Sequence, residues 1–328
     1  VNLCIAVGAL LCILLSSCVN QPGPTAQPTN FFAVGWSFDG SNVFYLQDSD
    51  YDVILGRTDR AAHLLSSVNI GQIGLGGMLC PTNNDSTLLI AGSGIICILL
   101  TQGSQKMLSS EGRLVQTRDR SEFLMLPPDE GQSQITNQLE IARFQSLGFI
   151  NQSQWLDKIP ITTNGTWVTN STFAVFQFDE ARNLVDLVLY DTSLTPRDTF
   201  LITNFLDLNY GSVFYGAHTF FFAGATGVIK MDSATRQAVQ MTTDPVQVAD
   251  CAPDGSFIVY TTSSYEMYVL NCNTGAKKLL ASHTYGSSNL SPTPPGSFKI
   301  SPGSDMLAYF DGASLSESHL KIIPISAP

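Results

Sequence analysis

Val246-Gln-Val-Ala-Asp-Cys-Ala-Pro-Asp-Gly-Ser-Phe257, running on through Ile258-Val-Tyr-Thr-Thr262, Glu266-Met-Tyr-Val-Leu270, Asn273-Thr-Gly275 and Lys277-Lys-Leu-Leu-Ala281, decides the fold. It reads as four short strands. Apolar and polar residues alternate, which places one face of each strand against a packed layer. Asp254-Gly255 and Asn273-Thr-Gly275 supply the positive-φ positions that tight hairpins require. Strand, turn, strand, short loop, strand, turn, strand is one antiparallel four-stranded unit.

The unit recurs on both sides. Ala33-Val-Gly-Trp-Ser-Phe-Asp39-Gly40, then Val43-Phe-Tyr-Leu46, Asp52-Val-Ile-Leu55 and Ala62-His-Leu-Leu65 form a copy near the start of the body. Phe298-Lys-Ile-Ser-Pro302-Gly303, then Met306-Leu-Ala-Tyr-Phe310 and Leu320-Lys-Ile-Ile323 form one near its end. Between them the first turns fall near Asn84, Asp119, Asn170 and Gly216. With Asp39, Asp254 and Gly303 these are seven anchors spaced by about 44 residues, the period of four-stranded propeller blades. The fold expected is therefore an all-β propeller of seven four-stranded blades. Six or eight stay open because the central copies lack the Pro-Asp-Gly signature. The last copy is one strand short, and residues near Asn30–Val34 are expected to complete it and close the ring.

Ala252-Pro-Asp-Gly255 with Tyr268-Val-Leu-Asn-Cys-Asn-Thr-Gly275 resembles the repeat of TolB-type propellers, which the propeller domains of prolyl-oligopeptidase-like enzymes share. The resemblance covers nearly all of residues 31–328, at the level of fold. It implies a ring of WD-like blades. The G-x-S-x-G elbow of the enzyme relatives is not found in the sequence.

The first residues have a different character. Leu3 to Leu15 is an almost unbroken apolar run, the length of a signal-peptide core and short of the roughly 20 residues of a membrane-spanning helix. It ends in Leu15-Ser16-Ser17-Cys18, which resembles the lipobox of bacterial lipoproteins. That resemblance implies cleavage before Cys18 and acylation of its thiol. Val19-Asn-Gln-Pro-Gly-Pro-Thr-Ala-Gln-Pro-Thr-Asn30 follows, a Pro/Gly/Gln/Thr stretch suited to an extended tether. Val1-Asn2 carries no Lys or Arg, so this reading requires an alternative or upstream start. The organisation expected is a signal peptide over 1–17, lipidated Cys18 and tether over 18–30, and one propeller domain over 31–328. The expected location is extracytoplasmic, anchored to a bacterial membrane: the outer membrane of a Gram-negative cell, or otherwise the cell surface.

Cys80, Cys97, Cys251 and Cys272 remain in the body, an even number in an oxidising compartment. Two local bridges, Cys80–Cys97 and Cys251–Cys272, are the simplest pairing; four buried thiols are the alternative. Asp48-x-Asp50-x-Asp52 is a weak Ca²⁺ candidate, since it lacks the glycine and distal Glu of an EF-hand loop. A solvated turn is the favoured reading. No other metal site, no cofactor and no catalytic constellation is expected. His63, His218, His283 and His319 are scattered.

A net charge of −11 argues against a nucleic-acid partner, which needs a basic face. The function expected is a non-enzymatic protein-binding or scaffolding propeller at the membrane surface. The alternatives are a propeller enzyme (lyase, lactonase or glycan hydrolase) with a site in the central channel, or an accessory subunit of a larger complex.

Overall fold

The computed structural model describes residues 30–49, 52–71, 78–82, 87–91, 95–100, 104–109, 113–116, 122–126, 138–145, 148–155, 159–179, 184–202, 212–282, 297–312 and 318–328. Alternation of apolar and polar residues emerges as strand throughout. The first sheet holds β1 (Asn30–Trp36), β2 (Asn42–Ser49), β3 (Asp52–Asp59) and β4 (Leu64–Asn69). The second holds β5 (Met78–Pro81), β6 (Thr87–Ala91), β7 (Ile95–Leu99) and β8 (Ser104–Ser109). In the third are β9 (Arg113–Gln116), β10 (Glu122–Leu126), β11 (Gln138–Gln145) and β12 (Gly148–Trp155). The fourth contains β13 (Ile159–Thr169), β14 (Thr172–Asp179), β15 (Leu184–Asp191) and β16 (Pro196–Leu201). The fifth contains β17 (Ser212–Gly216), β18 (Thr219–Gly224), β19 (Gly227–Asp232) and β20 (Ala238–Thr242). The sixth is β21 (Val246–Cys251), β22 (Phe257–Thr262), β23 (Met267–Asn271) and β24 (Lys277–Ala281). A last sheet has three strands, β25 (Phe298–Ile300), β26 (Met306–Asp311) and β27 (His319–Pro324).

Every described sheet is an antiparallel meander in chain order, and the whole is a β-propeller. First strands lie innermost: neighbours meet from β9 through β13, β17, β21, β25 and β1 to β5. Fourth strands lie outermost and are largely exposed, as on β4, β16, β20 and β24.

Apolar cores fill the gaps between sheets. Ala33, Phe44, Leu46 and Leu55 of the first sheet meet Leu79, Leu88 and Ile90 of the second. The run Phe220-Phe221-Phe222 divides by strand alternation. Phe220 and Phe222 pack toward Ala174, Phe176 and Leu187 of the fourth sheet, whereas Phe221 packs toward Ile258 and Tyr260 of the sixth. Each such side chain contributes roughly 1.5–3 kcal/mol through its removal from water.

Turn chemistry sets the geometry at one end of the ring. In the turns between first and second strands, the amides of Gly40, Gly255 and Ser304 donate to the carbonyls of Ser37, Ala252 and Ser301. All three have positive φ, at +70°, +72° and +59°. Ser304, rather than Gly303, therefore occupies the glycine position of the last repeat. Between third and fourth strands, Asp59, Asp191, Asp232 and Asn271 each accept two backbone amides from the turn that follows. Ala62, Leu194, Arg236 and Gly275 then close those turns in the left-handed region.

Two expectations are corrected. Residues near Asn30–Val34 do not complete the last sheet; they belong to β1, the innermost strand of the first, paired with β2. Nor does a disulfide join Cys80 to Cys97 or Cys251 to Cys272: Cys80, Cys251 and Cys272 carry thiols. The register explains why. Cys80 lies opposite Leu89, and Leu89 opposite Cys97. Cys251 lies opposite Ile258, and Ile258 opposite Leu270, two residues short of Cys272. Each pair thus straddles a whole strand, about 9–10 Å between backbones, beyond disulfide reach.

Candidate functional site

Three polar or exposed regions stand out from the apolar gaps between sheets. One lies on the inner strands. Asp250 of β21 is turned toward the last sheet, on the face it shares with Val248 and Ala252. Its carboxylate accepts the backbone N–H of Ile300 at 2.8 Å and the Lys299 ammonium at 2.8 Å. The Lys299 carbonyl in turn accepts the Trp36 indole N–H at 2.9 Å. The sixth, seventh and first sheets are thereby linked in one polar chain. Asp250 is buried and both of its oxygens are engaged; Lys299 keeps about a third of its side chain exposed, at 34%. Its chemistry as it stands is to hold inner strands in register.

A second region lies between the fifth and sixth sheets, at the end opposite the Asx turns. The connection into β21 places Asp244 where its carboxylate accepts the Tyr260 hydroxyl at 2.6 Å and the Lys277 ammonium at 2.6 Å. Glu266 accepts the Tyr268 hydroxyl at 2.9 Å. The two tyrosine rings stack with centroids 5.6 Å apart, and the Lys277 ammonium sits 5.2 Å from the Tyr268 ring centre. Burial and the bond to Asp244 push the Tyr260 hydroxyl well above the ordinary tyrosine range. The bond to Glu266 raises Tyr268. Burial pulls Asp244 upward, but Lys277 and Tyr260 outweigh it and hold the carboxyl below its usual range. Both hydroxyls stay protonated at neutral pH and act as donors.

The third region is the outer rim. Leu64 and Leu65 of β4 are 61% and 53% exposed, Leu201 of β16 51%, Val239 of β20 58% and Leu279 of β24 45%. All sit on outermost strands, whose outer backbone edges have no described strand beside them.

The residues singled out in the sequence are not brought together. Cys18, Asp50 and His283 lie outside the described residues. Asp48 and Asp52 stand on β2 and β3, where Asp48 pairs with Val53 and Ser49 with Asp52. The Asp52 carboxylate accepts the Asn69 amide at 2.7 Å. Cys80 is buried in the second sheet, and only the backbone of Cys97 is described, on β7. Cys251 is half-buried on β21. Cys272 is buried, and that burial pushes its thiol up to about 12, far from a reactive thiolate. The His63 Nδ1–H donates to the Asp59 carboxylate at 2.9 Å within a turn, and His218 sits at φ +62° in another. Among the described residues, no three His, Cys, Asp or Glu side chains group as a metal site would require. Asp244, Tyr260 and Lys277 escaped notice in the sequence because they come from three separate elements. The Asp and Asn that open the third-to-fourth turns did leave a signal, since each ends a strand.

No family model matches this chain, and no curated protein matches it in sequence. Solved structures do match in shape. Oligogalacturonate lyase from Vibrio parahaemolyticus superposes with a TM-score of 0.58 at 12% identity, covering 91% of both chains. An oligogalacturonate lyase in complex with manganese gives 0.63 at 14% identity over 93% of this chain and 92% of the other. The Cps50 (Swd1) β-propeller domain of Myceliophteria thermophila gives 0.58 at 11% identity over 91% of this chain and 100% of that domain. Two lyases and the β-propeller domain of Cps50 (Swd1) thus match with similar scores, and at these identities the likeness is one of fold.

Proposed function

We propose that this protein is a lipid-anchored envelope component whose seven sheets are the blades of one propeller that binds a protein partner through its outer rim. The observation that carries the reading is the set of half-exposed Leu64, Leu65, Leu201, Val239 and Leu279 on outermost strands. Isolated surface leucines are ordinary. Here they sit beside outer strand edges that no described strand covers, where a partner would gain both apolar burial and backbone hydrogen bonds. The apolar run before Leu15-Ser16-Ser17-Cys18 supports the anchor, and the Pro-rich stretch after it supports display of the propeller away from the membrane.

Site-specific photocrosslinking in native membranes tests the binding surface. A crosslinker at 64, 201 or 239 is expected to capture one and the same protein, and a crosslinker at exposed Thr274 is not. Leu64→Lys with Leu201→Lys is expected to abolish capture from 239 while leaving the urea midpoint unchanged. Equal capture at Thr274 defeats the rim reading. Intact mass tests the anchor: a mature chain beginning at Cys18 and carrying acyl mass supports it, and an unprocessed N-terminus refutes it.

A second reading, a channel-sited enzyme, draws support from the likeness to oligogalacturonate lyase. Incubation with oligogalacturonate and Mn²⁺ distinguishes the two. Appearance of the unsaturated product, absorbing near the ultraviolet edge, favours the enzyme.

A further inference from the structure

Given the rim reading above, we infer that β4 is the edge that takes the partner, by adding an extended, uncharged segment of it to the first sheet as a fifth strand. Backbone alternation shows what β4 offers. The Ile70 amide donates to the Val53 carbonyl at 2.9 Å, and the Asp59 amide to the His63 carbonyl at 3.1 Å. Between these bonds Leu55 lies opposite Val68 and Arg57 opposite Ser66. The amides and carbonyls of Val68 and Ser66 therefore turn toward β3. Those of Ser67 and Asn69 turn outward, where no described strand meets them.

The side chains leave the same edge open. Leu64, Leu65, Ser66 and Ser67 are all exposed, so both faces of that stretch meet solvent. No residue of β4 is charged, and Ser66 to Asn69 pairs with β3 without a bulge. Outer strands elsewhere carry the devices that keep an edge from pairing. β16 starts at Pro196 and carries Arg197 and Asp198. The Ile202 amide donates to the Val185 carbonyl, so alternation turns Thr199 outward, and its carbonyl already accepts the Arg236 guanidinium at 3.2 Å. β24 carries Lys277 and Lys278, and β27 carries Lys321 and ends at Pro324. β20 is bulged near its end, where Met241 packs on the sixth sheet.

These features select the occupant. Ser67 and Asn69 are two residues apart, the spacing at which an extended strand presents its own amides and carbonyls. A helix has its backbone groups engaged along its length and cannot satisfy them. Ser66 and Ser67 are small and leave room for β-branched side chains opposite, while Leu64, Leu65 and Val68 supply apolar neighbours. A charged segment would find no opposite charge on β4 and would lose hydration on docking. Leu201, Val239 and Leu279 then meet the partner through side chains alone.

A fluorescent peptide, acetyl-Thr-Val-Thr-Val-Thr-Val-Thr-amide, is the probe, and its anisotropy with the full chain is the readout. Wild type and Ser67→Ala are expected to bind it within about twofold of each other, since both keep the outward N–H. Ser67→Pro deletes that N–H without touching the bonds to β3, and is expected to weaken binding at least about tenfold at an unchanged urea midpoint. Amide exchange on the wild-type chain gives a measurement that no variant's folding can spoil. The peptide is expected to slow exchange at Ser67 and Asn69 and to leave β16, β20 and β24 as they were. Absence of binding to wild type overturns the proposal, as does binding that Ser67→Pro leaves unchanged or protection spread evenly over the four strands. Photocrosslinking at 64, 201 and 239 is scored separately. Capture there without peptide binding leaves the rim reading standing and sinks strand addition; no capture at any of them sinks both.

Discussion

Gly255 shows how much a single residue carries in this ring. Its φ of +72° is open to glycine at little cost, and a Cβ there would lie 2.8 Å from the carbonyl carbon of Gly216 in the fifth sheet. Backbone meets backbone, so neither side has a flexible group to move aside. Gly255→Ala is expected to cost about 2–4 kcal/mol, from left-handed strain plus overpacking, measured as a fall in the urea midpoint. Ser304→Gly at the matching position of the last sheet is expected not to destabilise. Asp39 acts through charge instead. The Ser37 hydroxyl and the Ser41 amide and hydroxyl hold its carboxyl down to about 2 from an ordinary 3.8. A depressed carboxyl stabilises the fold above its unfolded value and loses that contribution as pH falls toward the folded one. Asp39→Asn is therefore expected to lower stability at pH 5, with the difference from wild type shrinking between about pH 4 and pH 2. A difference that is constant across that window rules out this role for the charge.

At the scale of strands and sheets, neighbours across one strand matter more than neighbours in sequence. The cysteine pairs show it: each closes a short loop in the chain yet straddles a strand in the sheet. Dithiothreitol is expected to leave the melting temperature unchanged, and alkylation of the denatured, unreduced chain is expected to label Cys80, Cys251 and Cys272. The Asp250 cross-link is the other element-scale device. Asp250→Ala strands the Ile300 amide and the Lys299 ammonium together, a loss of about 2–4 kcal/mol, read by chemical denaturation. The strands themselves were legible from alternation, and Asp254-Gly255 and Asn273-Thr-Gly275 marked their turns correctly. The glycine position in Ser301-Pro302-Gly303-Ser304-Asp305 was not, because a hydrogen-bonded serine can adopt the conformation and leaves no compositional trace.

For the whole molecule, among the described residues, side chains join the first sheet to the last. Trp36 spans that junction, so Trp36→Phe keeps most of the apolar contact but leaves the Lys299 carbonyl without its indole donor. About 1–3 kcal/mol is expected to be lost, with Trp167→Phe, inside the fourth sheet, as the comparison. An equal or larger loss at Trp167 contradicts a special role for that junction. Strand, turn and repeat period were written in residues close together in the chain, so an all-β ring of four-stranded sheets followed from the repeat beginning at Val246. Which strand β1 joins, which cysteines meet, and how Asp244, Tyr260 and Lys277 converge depend on residues distant in sequence. Lys299 reaches Asp250 over a separation of 49 residues, and Trp36 reaches Lys299 over 263. Such pairs are chosen by packing of whole sheets around an axis, a condition that no local pattern of residues encodes.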